Sequence, residues 1–407
     1  RMDWSTLKPI DGSEMPSDTL FAAFTTHVDG TAHHYDYIMG NPPFIGARWM
    51  NKEQKDEVVN TFGKDWQGVG DLDYVCSWYK KTTDVIKGTD SRCAFVSTNS
   101  ICQGGAVSNL WKPLFEGGLH IDFAWQTFKW SNETADKGNM AAVHCVIVGF
   151  STNSVARPVE TTSKPKIIFS GQQKIEAQNI NGYLLDAPNI WIEKRSKPLC
   201  NAEQMIYGSE PREGGFLILS EGERSALLKE SPFAEKWIRR FVSSEDFLNN
   251  KIRYCLWFKS QDMKEAIRSK TIVERLENCR KFREQSKQVQ AHASASTPYL
   301  FTSIRQSETD YLLIPVVSSE NRRYIPIGYE KPDVIASNAC FTIPNATLYT
   351  FGVLMSSVHN AWMRTVCGRL EMRYRYSNTL VYNNFPFPSP TDSQRRKIEQ
   401  TAQAILD

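Results

Sequence analysis

The sequence predicts an α/β chain: a doubly wound, mostly parallel sheet over residues 1–155, then a second domain of α+β character over residues 156–388. Three observations carry this. Strand and helix signals alternate along the first part of the chain. Ser, Thr, Asn and Pro concentrate near 151–163, as at a domain boundary. The charge also changes sign there: residues 1–155 hold 13 Lys and Arg against 18 Asp and Glu (net −5), and the remainder holds 35 against 27 (net +8). Residues 389–407 read as the start of a C-terminal helical segment.

Each element has its own signal. Tyr35-Asp36-Tyr37-Ile38-Met39 is a short apolar strand ending at Gly40. Leu72, Val75, Tyr79, Thr82 and Ile86 recur at helical spacing, so 71–87 is predicted helical with Asp71 as its N-cap. A strand at 93–97, a helix over 106–115 and strands at 119–125 and 141–150 follow. The last two are joined by a loop without helical pattern, so they are expected to pair antiparallel. In the second domain short strands are expected near 166–169, 215–219 and 311–317, and helices over 263–288 and 348–367. The apolar stripe of the helix at 263–288 is Ile272, Leu276, Cys279 and Phe282, with Lys and Arg residues, Arg283 among them, dressing the rest.

Composition removes several classes. Apolar residues make up 41% of the 407, enough for a sizeable core, yet no run of eighteen spans a membrane and no signal-peptide core opens the chain. Arg1 rather than Met begins it, which reads as a piece of a longer protein. Nine cysteines without a CxxC pair suit a reducing, cytoplasmic setting. No HExxH occurs and His33-His34 reads as a solvated loop, so no metal site is expected.

Asn41-Pro42-Pro43-Phe44 directly follows the first strand, and doubly wound sheets bind ligands at the carboxyl ends of strands. The motif suits an exocyclic amine whose lone pair is delocalised into an aromatic ring. Two acceptors on its hydrogens would draw the nitrogen toward tetrahedral geometry and localise that pair. The Asn41 side-chain oxygen and the Pro42 carbonyl can serve, the prolines stiffening the turn, and Phe44 can stack on an extruded base. Asn-Pro is also a common turn starter, so the strand before it and the aromatic after it are what raise the motif above a bare turn.

The stretch YDYIMGNPPFIG (35–46) resembles the catalytic motif of S-adenosylmethionine-dependent amino-methyltransferases. Taken with Asp71-Leu72-Asp73-Tyr74-Val75, FVSTNSICQG (95–104), TFKWSNE (127–133), AAVHCVIVGF (141–150) and CGRLEMRYRYSNTLVYNNFPFP (367–388), the chain resembles the MmeI-like type IIG/IIL restriction–modification family of adenine-N6 DNA methyltransferases. The resemblance implies a partial class I, Rossmann-like methyltransferase sheet followed by a target-recognition domain for double-stranded DNA. It assigns the target amine to Asn41 and Pro42 and stacking to Phe44. A second aromatic against the flipped base falls on Phe128, with Trp130 the alternative, and Asp3-Trp4 falls on the pair that contacts the cofactor adenine. The glycine-rich cofactor loop would precede residue 1, since neither Gly68-Val69-Gly70 nor Gly104-Gly105 opens a helix after a strand as that loop requires. The cofactor site of this segment is therefore expected to be incomplete and the segment alone inactive.

The basic half is where a polyanion is expected. Read with period two, Arg369, Glu371, Arg373 and Arg375 share one face of a strand, and Leu370, Met372, Tyr374 and Tyr376 the other. Arginine can clamp guanine and glutamate can accept from the cytosine amine. The resemblance implies that Glu371 with Arg373 reads one base pair and Arg375 contributes to another. An exposed strand held by cross-strand ion pairs is the alternative. Two further readings stay open: the same catalytic motif acting on RNA or a protein glutamine, and a specificity module without activity. A bacterial cytoplasmic protein, a monomer or weak dimer with no membrane partner, is expected.

Overall fold

In the computed structural model, which describes residues 35–130, 143–153 and 165–407, the first expected strand is β1 (Tyr37–Gly40). It pairs in parallel with β2 (Arg92–Thr98), Gly40 lying opposite Phe95. Between them run α1 (Lys52–Phe62) and α2 (Cys76–Ile86). β3 (Leu119–Trp130) and β4 (Val143–Thr152) are antiparallel, and β4 sits between β2 and β3. β5 (Lys166–Ser170) then adds in parallel to β3, with β6 (Gln173–Ala177) antiparallel beyond it. The sheet order is β1-β2-β4-β3-β5-β6. β1, β2, β3 and β5 point one way, but inserting β4 makes the sheet mixed rather than mostly parallel in its pairings. The chain divides into two compact units at Trp191/Ile192, because β5 and β6 extend the first sheet past residue 155.

Local differences from the sequence reading have physical causes. Asp71 does not cap α2: it closes a single 3-10 turn, Val69–Asp71, and the helix starts at Cys76. The Tyr74 N–H is committed to the Ile45 carbonyl at 2.9 Å, so the segment before Cys76 follows the loop after β1 instead of a helix. After β2, a 3-10 turn at Asn99–Cys102 leads into helical turns that begin at Gly104, earlier than expected. Gly104-Gly105 does open a helix, though with a four-residue 3-10 turn between it and the strand, and Gly104 takes there a left-handed φ of +53° that glycine tolerates. The middle of that helix, Val107–Trp111, is a π turn. β3 continues five residues beyond Trp125.

Tyr79 anchors the core of this unit. Its ring meets those of Phe95, Trp111 and Phe150 at centroid distances of 5.3, 5.2 and 5.3 Å, and its hydroxyl pairs with Ser97 Oγ at 2.8 Å. Trp111, fully buried, donates its indole N–H to the Ile101 carbonyl at 2.8 Å. The chain leaving β2 is thereby fixed from below.

The second unit holds three small sheets. One orders the strands Val334–Ala336, Ile238–Val242, Arg253–Leu256 and Ile218–Leu219; another orders Gly328–Glu330, Tyr311–Pro315, Cys340–Pro344 and Ile206–Tyr207. The third is described with the site. The helix expected at 263–288 is two, Met263–Ala266 and α3 (Lys270–Glu284), because buried Ser269 caps the second by accepting the Ile272 N–H. Ser356 likewise splits 348–367 into α4 (Leu348–Met355) and α5 (Ser357–Val366). α6 (Asp392–Leu406) opens on a Thr391–Gln394 capping box.

Arg283 is not on the solvated side of α3. It is 0% exposed, whereas Phe282, expected in the apolar stripe, is 44% exposed. Its five N–H donors go to five backbone carbonyls, Pro211, Arg212, Ser294, Thr297 and Leu300, at 2.7–3.1 Å. One guanidinium thus ties α3 to the segment before Phe216 and to the chain after Ala293. Arg283→Met removes every donor at once: the Pro211, Ser294 and Thr297 carbonyls each keep one other donor, but the Arg212 and Leu300 carbonyls lose the guanidinium that holds them. It should cost about 3–5 kcal/mol of the second unit's stability, read from a denaturant midpoint, against under about 1 kcal/mol for exposed Lys281→Met.

Candidate functional site

The Asn41-Pro42-Pro43-Phe44 turn leaves β1 at its carboxyl end, beside the stretch of β2 that continues past Phe95. Asn41 and Pro43 are exposed, Pro42 is buried and Phe44 is half-buried. Among the described residues no donor is bonded to the Asn41 side chain or the Pro42 carbonyl, whereas the Pro43 carbonyl accepts from the Ile45 N–H at 3.2 Å. Two acceptors stand free at the strand end, with an aromatic face two residues on.

The loop continues under restraint. Ala47 N–H donates to Asp73 Oδ1 at 2.8 Å, and Ser100 Oγ donates to Asp73 Oδ2 at 2.5 Å. Thr98 Oγ1 lies 2.7 Å from Ser100 Oγ. Sequence reasoning gave Asp73 no role, since these partners are 26 and 27 residues away and no local pattern joins them. Arg48 and Trp49 form the exposed tip of the next turn.

Phe128 and Trp130 lie on β3 itself, not on a loop. A register shift between Trp125 and Phe128 compensates for their odd spacing and places a row of rings along the strand. Phe169 stacks on Trp125 at 4.9 Å, Trp125 meets Phe128 at 6.5 Å, and Phe128 meets Trp130 at 6.2 Å. Phe128 is half-buried and Trp130 exposed. Asp3, Trp4 and His33-His34 fall outside the described residues. Among the described residues no group of His, Cys, Asp and Glu could hold a metal ion, all nine cysteines are free thiols, and no helix is long and apolar enough to cross a membrane.

In the second unit the segment 369–376 is not one strand. It is a hairpin, β7 (Gly368–Leu370) and β8 (Arg373–Arg375), joined by Glu371-Met372 and completed by Val317–Ser318. The reversal overturns the one-face reading. Arg369 is registered with Tyr374, so it shares the face opposite Arg373 and Arg375. Its guanidinium lies over the Tyr374 ring at 4.5 Å and donates to the Met372 and Arg364 carbonyls. Leu370, expected inward, is 47% exposed. Glu371 and Arg373 do come together, at 3.2 Å, with Arg375 exposed on the same strand. Glu371 has φ +60°, a left-handed position at the head of a two-residue turn where glycine is usual.

The molecule thus has two units: an α/β sheet with acceptors unbonded among the described residues at a strand end, and a second unit that displays a charged hairpin. They are the two parts expected of a methyltransferase carrying its own recognition domain. Residues 1–163 match the family model "MmeI, DNA-methyltransferase domain" and residues 186–389 match "MmeI, target recognition domain". The chain belongs to the MmeI family of type IIL restriction–modification methyltransferases. It is 35% identical over 407 residues to DNA methyltransferase A of Bacillus subtilis (strain 168), covering all of this chain and 43% of that protein. The solved structure of the type IIL restriction–modification enzyme MmeI in complex with DNA matches 91% of this chain and 49% of its own, at 42% identity and a TM-score of 0.84. The chain therefore spans a little under half the length of these relatives.

Behind the hairpin, His359 is fully buried. Its Nε2 lies 2.9 Å from the Tyr376 hydroxyl, and Nδ1 has no partner among the described residues. Burial holds its pKa down at about 3. The folded state keeps the ring neutral, while the unfolded chain takes a proton below about pH 6.5. Stability is therefore lost as pH falls from 6.5 toward 3. Between pH 7 and pH 5 the second unit should lose about 2 kcal/mol from this group. Denaturant titrations at both pH values should show that increment shrink in His359→Gln.

Proposed function

We propose that this chain is the acceptor-binding and sequence-reading part of a site-specific DNA methyltransferase that modifies adenine N6 in duplex DNA, within a restriction–modification system. The observation that carries the reading is the pair of free acceptors, Asn41 Oδ1 and the Pro42 carbonyl, at the carboxyl end of a parallel strand in a chain of this family.

The chemistry follows from the acceptors. The exocyclic amine of adenine is a poor nucleophile while its lone pair is shared with the ring. Hydrogen bonds from its two hydrogens to Asn41 and Pro42 favour the tetrahedral nitrogen and free the pair for attack. S-Adenosylmethionine, when bound, supplies an electrophilic methyl group. Asn41 and Pro42, both neutral, also stabilise the cationic amine that results, and the extra proton leaves to water. Phe44, with Phe128 or Trp130 as the second ring, would hold the base after it leaves the duplex. Asp3 and Trp4 are assigned to the cofactor by resemblance alone.

We assign sequence reading to the hairpin, led by Glu371, Arg373 and Arg375, with Arg369 bracing it through Tyr374. A glutamate kept in a left-handed turn position gives up local stability, and such strain clusters at functional sites.

Two experiments test these readings in the full-length natural protein. With labelled S-adenosylmethionine and duplex DNA, wild type should label adenine, and Asn41→Ala should lose on the order of 10²–10³ in kcat. Label on cytosine, or undiminished turnover in the variant, would sink the proposal. At the hairpin, Arg373→Ala should relax preference at one base pair by about 1–3 kcal/mol. Glu371→Gly should relieve the turn by about 1 kcal/mol while also weakening discrimination. A uniform loss of binding to every sequence would make Arg373 a phosphate contact instead.

A further inference from the structure

The Asn41-Pro42-Pro43-Phe44 turn is a short bridge between two anchors. On one side Gly40 is held in the sheet opposite Phe95. On the other, Ile45 and Ala47 are held by consecutive residues of the segment before α2: the Ile45 carbonyl accepts from the Tyr74 N–H at 2.9 Å, and the Ala47 N–H donates to Asp73 Oδ1 at 2.8 Å. Asp73 Oδ2 meanwhile accepts from Ser100 Oγ at 2.5 Å, in the chain leaving β2. With Ser100 donating to the carboxylate, Thr98 Oγ1, 2.7 Å away, donates to Ser100. One half-buried carboxylate thus joins three segments, and two of them leave the carboxyl ends of adjacent parallel strands.

We propose that Asp73 is a positioning residue for methyl transfer: it fixes the far end of the Asn41–Phe44 bridge and couples it to the loop after β2. This rests on the reading of the tetrapeptide as the amine-holding site. The two prolines already restrict the bridge, so its remaining freedom lies mostly at its ends. Gly40 cannot relax by itself, because it belongs to the β1–β2 ladder. Ile45–Ala47 has no ladder; beside the packing of Ile45 and Ala47 against the core, its directional hold is the pair of bonds to Asp73 and Tyr74. Releasing the Asp73 bond lets the Asn41 and Pro42 acceptors shift together, and misplacement by about 1 Å costs on the order of 10²-fold in rate. A carboxylate suits the place, since both partners donate. Asparagine can imitate it in part: its oxygen can take the Ala47 N–H, and its amide can face Ser100 if that hydroxyl rotates to accept.

The test uses the full-length natural protein and duplex DNA containing its modification site, with kcat, DNA affinity and thermal melting measured on each variant. Asp73→Ala should lower kcat on the order of 10²-fold, with DNA affinity within about threefold of wild type. Asp73→Asn should recover most of that loss, and Ser100→Ala, which keeps the Ala47 bond, should lose under about tenfold. Should Asp73→Ala fold poorly, Asp73→Asn and Ser100→Ala decide the matter by the same kcat split. Wild-type kcat in Asp73→Ala, or a loss that follows only the folded fraction and is equal in Asp73→Asn, overturns the positioning role. Asn41→Ala separates the two ideas. If it is dead while Asp73→Ala is fully active, only the positioning role fails. If Asn41→Ala is fully active, the reading of the tetrapeptide fails and the positioning role falls with it.

Discussion

The candidate site depends on the parallel pairing of β1 with β2. β1 is four residues long and β2 seven, and Gly40 lies opposite Phe95, so Val96, Ser97 and Thr98 run on past the point where β1 stops. That offset gives the Asn41–Phe44 turn a strand to lie beside. The contact is close: a Cβ on Gly40 would come within 3.3 Å of the Phe95 ring. The Phe95 ring is in turn fixed by Tyr79 and Phe150, so the position of the turn is set by the packed core under it. β4, antiparallel to β2 along its length, closes the other side of β2.

What the sequence made legible was contiguous. The Asn-Pro-Pro-Phe turn, the strand before it and the apolar repeat of α2 each lie within a few residues, so periodicity and turn chemistry reveal them. Asp73 was invisible because its meaning lies in two partners from distant loops. The hairpin was misread for a different reason. A two-residue turn is normally announced by Gly or Asn, and Glu371-Met372 carries neither, so Arg369 to Tyr376 read as one strand. The reversal explains why Arg369 lies against Tyr374 while Arg373 and Arg375 stay exposed: residue parity is preserved within a strand but not through a turn.

Arg283 shows the limit of reading charge as exposure. Ile272, Leu276 and Cys279 lie on the buried stripe of α3, and the next position of that stripe, seven residues after Leu276, is 283. Helix geometry puts it inside, whereas its charge argues for solvent. The conflict is resolved because five carbonyls converge there, one for each N–H of the guanidinium. Lysine has only three donors and no planar fork, so it could not fill that role. Part of the net +8 of the second half is therefore structural, and the charge left to meet a polyanion is smaller than the sequence total suggests.

The two candidate surfaces follow opposite electrostatic logic, and the difference fits their tasks. At the Asn41 turn the two acceptors, on exposed Asn41 and buried Pro42, are neutral. A carboxylate there would attract an amine, but it would also bind the cationic product tightly and slow its loss of a proton. The Asp73 carboxylate nearby is turned to donors of the loops after β1 and β2, Ala47 N–H and Ser100 Oγ. At the hairpin the groups are charged and exposed, Glu371 beside Arg373 with Arg375 nearby. Base edges in a groove are reached through water and beside phosphates, where a charge-assisted, two-pronged bond discriminates better than a neutral one. Glu371 and Arg373 pair with each other at 3.2 Å, so under the proposed reading, recognition of a base pair would exchange that internal pair for one with DNA. The exchange is favourable only where both groups find partners. Under that proposal a mismatch would leave one of them desolvated and unpaired, and that penalty, more than the strength of any single contact, would be the source of selectivity.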